Sequence, residues 1–263
     1  IREIGEEQVV TAADRLVANT HAEAKELIEL YHADPNRVRV VHPGVDLDVF
    51  FPGNQSVARK ELGVAEDAIV LLFVGRIQPL KAPDVLIEAA AEILKRNPEL
   101  RSRLVVAICG GPSGSGLERP DALVMLADQL GISDIVKFVP PTSRAELVKW
   151  FQSASVCVVP SYSESFGLVA IEAQACGTPV IAARVGGLPT AVRDGISGVL
   201  VDGHEAGAWA DQILTVVTND ALRIKLSTGA IAHASHFGWE DTTDKLISVY
   251  NEAVKSSIVR AKA

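Results

Sequence analysis

Short apolar runs recur along this chain, each closed by glycine or proline and followed by a stretch of helical periodicity. That alternation restricts the fold more than any other feature. The runs at 69–74, 104–109, 135–139, 156–159, 180–182 and 199–201 are short, and several are rich in Val and Ile. Continuous apolar runs of this length predict parallel strands covered on both faces. Between them, 83–94, 121–130, 145–152, 168–176 and 206–217 read as helices. Strand and helix in strict succession predict a doubly wound α/β sheet, which binds ligands beyond the carboxyl ends of its strands. At 263 residues and 48% hydrophobic, the chain has enough apolar surface for such a core.

The ends read differently. Residues 1–41 predict a helix (2–13), a strand (15–18), a helix (22–31) and a strand (38–41), the tail of a preceding α/β domain. Residues 42–52, with Pro43, Gly44 and Pro52, read as a linker. The main domain then covers 53–237. Residues 238–263, with a helix at about 240–255 and no strand after it, are expected to pack back towards the amino-terminal domain. The chain opens at Ile1, without an initiator Met and inside a predicted helix; part of the protein is expected to precede it.

Composition excludes several function classes. A net charge of −8 is a poor basis for nucleic-acid binding, so any phosphate site must be local. Cys109, Cys157 and Cys176 are odd in number, lie in apolar runs and fit neither a zinc site nor a disulfide framework. They read as small buried hydrophobes, and a reducing cytoplasm fits them. No apolar stretch reaches the ~18 residues of a membrane span, and the opening does not read as a signal peptide, so no membrane partner is expected. The six histidines show no metal-ligand spacing. They read as solvated or structural, and Trp150, Trp209 and Trp239 as packing residues.

Chemistry concentrates where strands end. Ser161-Tyr162-Ser163-Glu164-Ser165-Phe166-Gly167-Leu168 follows the run ending at Pro160 and opens the helix at 168–176. The free N–H groups of Ser165, Phe166, Gly167 and Leu168 are candidates for holding a phosphate. Glu172 stands among apolar neighbours on that helix. A buried carboxylate needs partners, and two sugar hydroxyls would satisfy it; alternatively it belongs to an exposed stripe with Gln174. Arg76 and Lys81 follow another strand end and suit a diphosphate clamp, or are two solvated surface charges. The glycine-rich 110–116 is not G-x-G-x-x-G, which counts against a nicotinamide enzyme. Gly186 and Gly187 read as turn residues.

Glu164 and Glu172, spaced as Glu-x7-Glu, together with Val74-Gly75-Arg76, Lys81, Gly177-Thr178-Pro179-Val180 and Gly186-Gly187, resemble the family 4 retaining glycosyltransferases over nearly the whole chain. Residues 75–83, 172–175 and 201–204 are most similar to the branch of that family in the mycothiol pathway. The resemblance implies a GT-B fold of two Rossmann-like domains with a cleft between them, the amino-terminal one largely absent here. It implies UDP-N-acetylglucosamine as donor and 1D-myo-inositol 3-phosphate as acceptor. Arg76 and Lys81 would hold the diphosphate and stabilise departing UDP. Glu172 would bind the ribose hydroxyls, Glu164 would orient the transferred sugar, and the backbone of Ser165 to Leu168 would touch sugar and phosphate. Thr142 falls at a uracil-contacting position where the family often has Arg, so only a backbone contact carries over. Arg2 matches an acceptor-phosphate arginine. Transfer would need no metal, although a peripheral Mg2+ would map to Phe151, Gln152, Ala154 and Thr178. A homodimer is also allowed. The alternatives are a sucrose-phosphate-synthase-like transfer from another nucleotide sugar, or a UDP-sugar-binding module without turnover. The chain alone is expected to bind nucleotide and transfer negligibly.

Overall fold

The computed structural model describes residues 2–111 and 121–262, with side chains for 5–111 and 121–257. α1 (Arg2–Ala12), β1 (Leu16–Ala18), α2 (His21–Leu30) and β2 (Val38–Val40) form a small unit. β1 and β2 pair in parallel, Leu16 opposite Val38. The Thr20 hydroxyl caps α2 by accepting the Glu23 N–H. Val10, Leu16, Ala18, Ala24, Ala33 and Val38 make a core of their own.

After the linker comes α3 (Gln55–Leu62), a helix that the apolar pattern does not announce. The Asn54 side chain caps it on the Val57 N–H, and Gly63 ends it in the left-handed region at φ 65°. The expected succession follows. It runs β3 (Ile69–Val74), α4 (Pro83–Arg96), β4 (Leu104–Cys109), α5 (Ala122–Gln129), β5 (Val136–Val139), α6 (Arg144–Ser153), β6 (Val156–Val159) and α7 (Leu168–Ala175). It continues through β7 (Val180–Ala183), α8 (Leu188–Ala191), β8 (Gly198–Val201), α9 (Ala206–Val217), α10 (Asp220–Ala234) and α11 (Trp239–Lys262). α10 is a second unannounced helix, capped by Asn219 on the Leu222 N–H.

The six strands lie in the order β5-β4-β3-β6-β7-β8, all parallel. The central strands are buried on both sides: β6 and β7 throughout, and β3 up to Val74. Helices α4, α5 and α9 pack together as one layer, and α3, α6, α7 and α10 as the other. The doubly wound sheet expected from the apolar runs is the fold found, and one continuous core extends from Val45 to Phe237.

The chain passes between the large and small units twice, and the two passages meet. The Val45 N–H donates to the Phe237 carbonyl at 2.8 Å, and Val45 forms a parallel bridge with Gly238. α11 then runs to the small sheet, where the Glu252 carboxylate takes Arg15 Nε at 3.2 Å and Arg39 Nη2 at 2.7 Å. Trp150 and Trp209 are buried as expected. Trp239 is not: it lies over Gly44, where a Cβ would meet its ring at 2.8 Å, and leaves 55% of its surface exposed.

Candidate functional site

Strand order reverses between β3 and β6. From β3 the chain builds outward through β4 to β5, and from β6 it builds the other way through β7 to β8. Loops leaving the carboxyl ends of two such strands diverge and open a crevice, the usual ligand position in an open α/β sheet. Residues 75–82 leave β3 and residues 160–167 leave β6. The Tyr162 N–H donates to the Leu80 carbonyl at 2.9 Å and ties the loops together. Lys81 Nζ stands 2.5 Å from Glu164 Oε2, with both side chains under 20% exposed, and the Ser161 hydroxyl is 3.5 Å from the same oxygen. Lys81 is therefore paired, not free. The turn that presents it is strained: Ala82 sits in the left-handed region at φ 49°, just before Pro83 opens α4.

The loop bearing Glu164 rests on the turn after β7. The Gly187 N–H donates to the Glu164 carbonyl at 2.8 Å, and a Cβ on Gly187 would come within 2.6 Å of Phe166 Cα. Gly186 lies at φ 50°, and a Cβ there would overlap the Glu164 carbonyl. These glycines serve turn geometry, as expected, and also let one backbone lie directly against another. Gly167, at φ 103°, leads into α7. Among the described residues the N–H groups of Ser165, Phe166, Gly167 and Leu168 donate to no partner. They are open to an anion.

Glu172 lies one turn further along α7, where Ala170, Ile171, Ala173, Gln174 and Ala175 are all buried. Its carboxyl has no hydrogen-bond partner among the described residues. Burial pushes its pKa up to about 7, with the Arg144 charge pulling the other way. Gln174 does not share an exposed stripe with it. That side chain is fully buried, its amide donating to the Ala170 and Ala191 carbonyls at 2.8 Å each.

Beside the crevice, the ends of β3, β4 and β5 surround a pocket of about 330 Å³ lined by Gly75, Arg76, Gly110, Gly111, Pro141 and Thr142. Arg76 is exposed and makes no ion pair among the described residues. The Thr142 hydroxyl is held by the Glu146 carboxylate at 2.5 Å, which leaves its backbone for a ligand. The rest of the glycine-rich segment, Pro112 to Gly116, and the Arg2 side chain lie outside the described residues. Arg144 escaped the sequence reading, since only the fold brings its charge to bear on Glu172. His204, read as solvated or structural, packs here: its ring lies 4.0 Å from that of Tyr162, with Nε2 at 3.3 Å from the Ser161 carbonyl.

Phe151, Gln152, Ala154 and Thr178 do gather, at the opposite end of the sheet. Gln152, Ala154 and Thr178 line a pocket of about 320 Å³ there. Several of their groups already hold hydrogen bonds. The Phe151 carbonyl takes the Thr178 hydroxyl at 2.6 Å, the Ala154 carbonyl takes Gln55 Nε2 at 2.8 Å, and the Gln152 amide donates to the Phe51 carbonyl at 2.9 Å. No carboxylate stands among the four, and Arg223 lines the same pocket. Neutral oxygens alone make a weak set for a hard dication.

A parallel Rossmann-like sheet thus carries one strand-end loop with two cations and, across the switch point, two acids on one strand–loop–helix unit. The chain belongs to the glycosyl transferases group 1, whose family model matches residues 54–233; the Glycosyltransferase Family 4 model matches residues 1–49. It is 60% identical over 258 residues to a D-inositol 3-phosphate glycosyltransferase of Nocardioides sp., covering 96% of this chain and 56% of that protein. It is 58% identical over 255 residues to the enzyme of the same name from Kribbella flavida, covering 97% and 60%. The chain thus spans under two thirds of the length of these relatives. Among solved structures, a sucrose-phosphate synthase from Thermosynechococcus elongatus superposes with a TM-score of 0.86 at 30% identity, over 97% of this chain and 62% of that one. Anabaena Alr3699/HepE in complex with UDP superposes at 0.81 with 22% identity, over 100% and 69%, and attests the fold alone. The GT-B class expected from the sequence agrees with these neighbours.

Proposed function

We propose that this chain is the donor-binding part of a retaining glycosyltransferase that moves N-acetylglucosamine from UDP-N-acetylglucosamine to 1D-myo-inositol 3-phosphate, the first step of mycothiol synthesis. One observation carries the donor side. Lys81 and Glu164 meet at the switch point of the sheet, beside N–H groups and a half-buried Glu172 that have no partner among the described residues. A nucleoside diphosphate sugar supplies what each of these lacks. Its diphosphate takes Lys81 from Glu164 and adds Arg76, so positive charge waits where the departing UDP becomes more negative. Glu164, released, accepts hydrogen bonds from the transferred sugar. The N–H groups of Ser165 to Leu168 hold phosphate and sugar oxygens. Two ribose hydroxyls donate to Glu172, and the base lies against the backbone at Gly110, Gly111 and Thr142. The acceptor is inferred from the names of relatives at 58–60% identity; a cytoplasmic setting is proposed with it, and three free, buried thiols are compatible with that setting.

The test is Lys81→Ala in the full-length protein. Transfer is expected to fall by roughly 10²–10³-fold in a protein that still folds, with a lower thermal midpoint because Glu164 loses its partner; undiminished activity rejects the clamp. A sucrose-phosphate-synthase-like transfer is the second reading, favoured by the 30% identity over 97% of this chain. A donor and acceptor screen with product analysis separates the two, and the anomeric configuration of the product tests retention.

A further inference from the structure

His42 follows β2 at the first passage between the two units, where sequence alone gave it no role. Its surroundings are specific. Nδ1 lies 2.6 Å from the Asn19 carbonyl at the end of β1, so that nitrogen carries a proton and donates it. The ring stacks on Phe166 with centroids 5.7 Å apart and planes 22° from parallel, and meets Phe237 at 5.6 Å. Phe166 and Phe237 meet each other at 5.6 Å, closing a triangle of rings to which His21 adds an edge contact on His42 at 6.4 Å and His233 one on Phe237 at 5.0 Å. The His42 carbonyl accepts the Thr242 hydroxyl of α11 at 2.9 Å. Phe166 is 2% exposed and belongs to the Glu164–Leu168 loop. It is the only residue of that loop whose ring contacts reach both passages of the chain, among the described residues.

Two surfaces thus hold the loop. The Gly186–Gly187 turn supports its backbone, and the His42 ring fixes its one buried side chain. Phe166 is followed by Gly167, and glycine imposes little direction on the N–H groups that come next. The ring contact supplies what the backbone does not.

We infer that His42 is a positioning residue: by stacking on Phe166 and anchoring to the Asn19 carbonyl, it sets the Glu164–Leu168 loop in the conformation that receives a nucleotide sugar, and links that loop to the small unit. This rests on the loop being the donor site. Ring stacking is the working contact, and the Asn19 hydrogen bond holds the ring in register.

The experiment uses this chain with His42→Ala, His42→Gln and His42→Phe, and has two readouts. The first is ligand-free amide hydrogen exchange. The amides that bond the loop, Gly187 N–H on the Glu164 carbonyl and Tyr162 N–H on the Leu80 carbonyl, exchange faster in the Ala and Gln variants, as in wild type in the Phe variant, and β3 and β4 are unchanged in all three. The second is calorimetry with UDP and UDP-N-acetylglucosamine, in which Ala and Gln weaken binding by about fivefold, the scale of one aromatic pair, while Phe stays within about twofold. Unchanged exchange at Tyr162 and Gly187 in both Ala and Gln overturns the inference. So does failure of Phe to differ from Ala, which would reduce His42 to a hydrogen-bonding or space-filling residue. If Ala does not fold, the contrast between Gln and Phe decides. Wild type that binds neither nucleotide, with exchange behaving as stated, overturns the donor-site assignment and leaves the His42–Phe166 linkage standing.

Discussion

Glu172 shows how one side chain can be costly to the fold and useful to the site. Its acid is raised from an ordinary value of 4.5 to about 7 by burial. The folded protein therefore holds a proton that the unfolded chain releases between those values, and stability falls as pH rises through that window. Below about 4.5 the cost is absent; above about 7 it is complete, on the order of 3 kcal/mol. Glu172→Gln is expected to raise the urea midpoint at pH 8 and to change it little at pH 4.5. The same variant should bind UDP roughly tenfold or more weakly, because a charge-assisted pair of hydrogen bonds becomes an ordinary one. Parallel midpoint curves for the two proteins across pH would contradict the burial argument. Glu164 and Glu172 were legible as a pair because one short strand–loop–helix unit carries both. The Lys81–Glu164 contact was not: each loop stood out as a strand end, but 83 positions separate them in sequence. Only the order of β3 and β6 makes them neighbours.

At the scale of elements, the turn after β7 supports the loop after β6, and two glycines permit it. Gly186→Ala places a Cβ against the Glu164 carbonyl at a backbone conformation of φ 50°. The conformation alone costs about 1–2 kcal/mol, and relieving the clash moves the 164–166 backbone. Gly195→Ala is the control, at φ 71° with open space around its Cβ. Both variants should lose stability, but only Gly186→Ala should also lose UDP binding; equal affinity in the two would show that the support is dispensable. The strands were legible because burial on two faces leaves an unbroken apolar run. Helices α3 and α10 were not, for different reasons. α3 buries a guanidinium: Arg59 donates to the Ser153 carbonyl at 3.0 Å and to the Ser155 hydroxyl at 3.4 Å, and no apolar period announces such a contact. α10 buries Leu226, Ala230 and Ala234, mostly small residues that mark its inner face weakly. Both helices do carry an Asn just before them that acts as cap, a signal available in the sequence.

At the scale of the molecule, one sheet buried on both faces sets the limits of what can be altered without loss of the crevice. Its central strands carry almost no polar side chain, and everything chemical stands at their carboxyl ends. The small unit is held separately, through the two chain passages and through Glu252 on Arg15 and Arg39. The three thiols lie inside the large core, at 3%, 0% and 4% exposure for Cys109, Cys157 and Cys176. Burial raises all three, Cys109 and Cys176 to about 12. A thiol must be both reached and ionised to react, so none of them can be labelled until the sheet opens. The wild-type chain therefore contains its own clock for opening, with no reporter to be engineered. Under conditions where opening is rapid and reversible, modification of Cys157 by a thiol reagent should follow the population of the open chain. Saturating UDP should then slow it by a factor of one plus the ratio of UDP concentration to its dissociation constant. A labelling rate indifferent to UDP would mean that nucleotide holds the loops without holding the sheet.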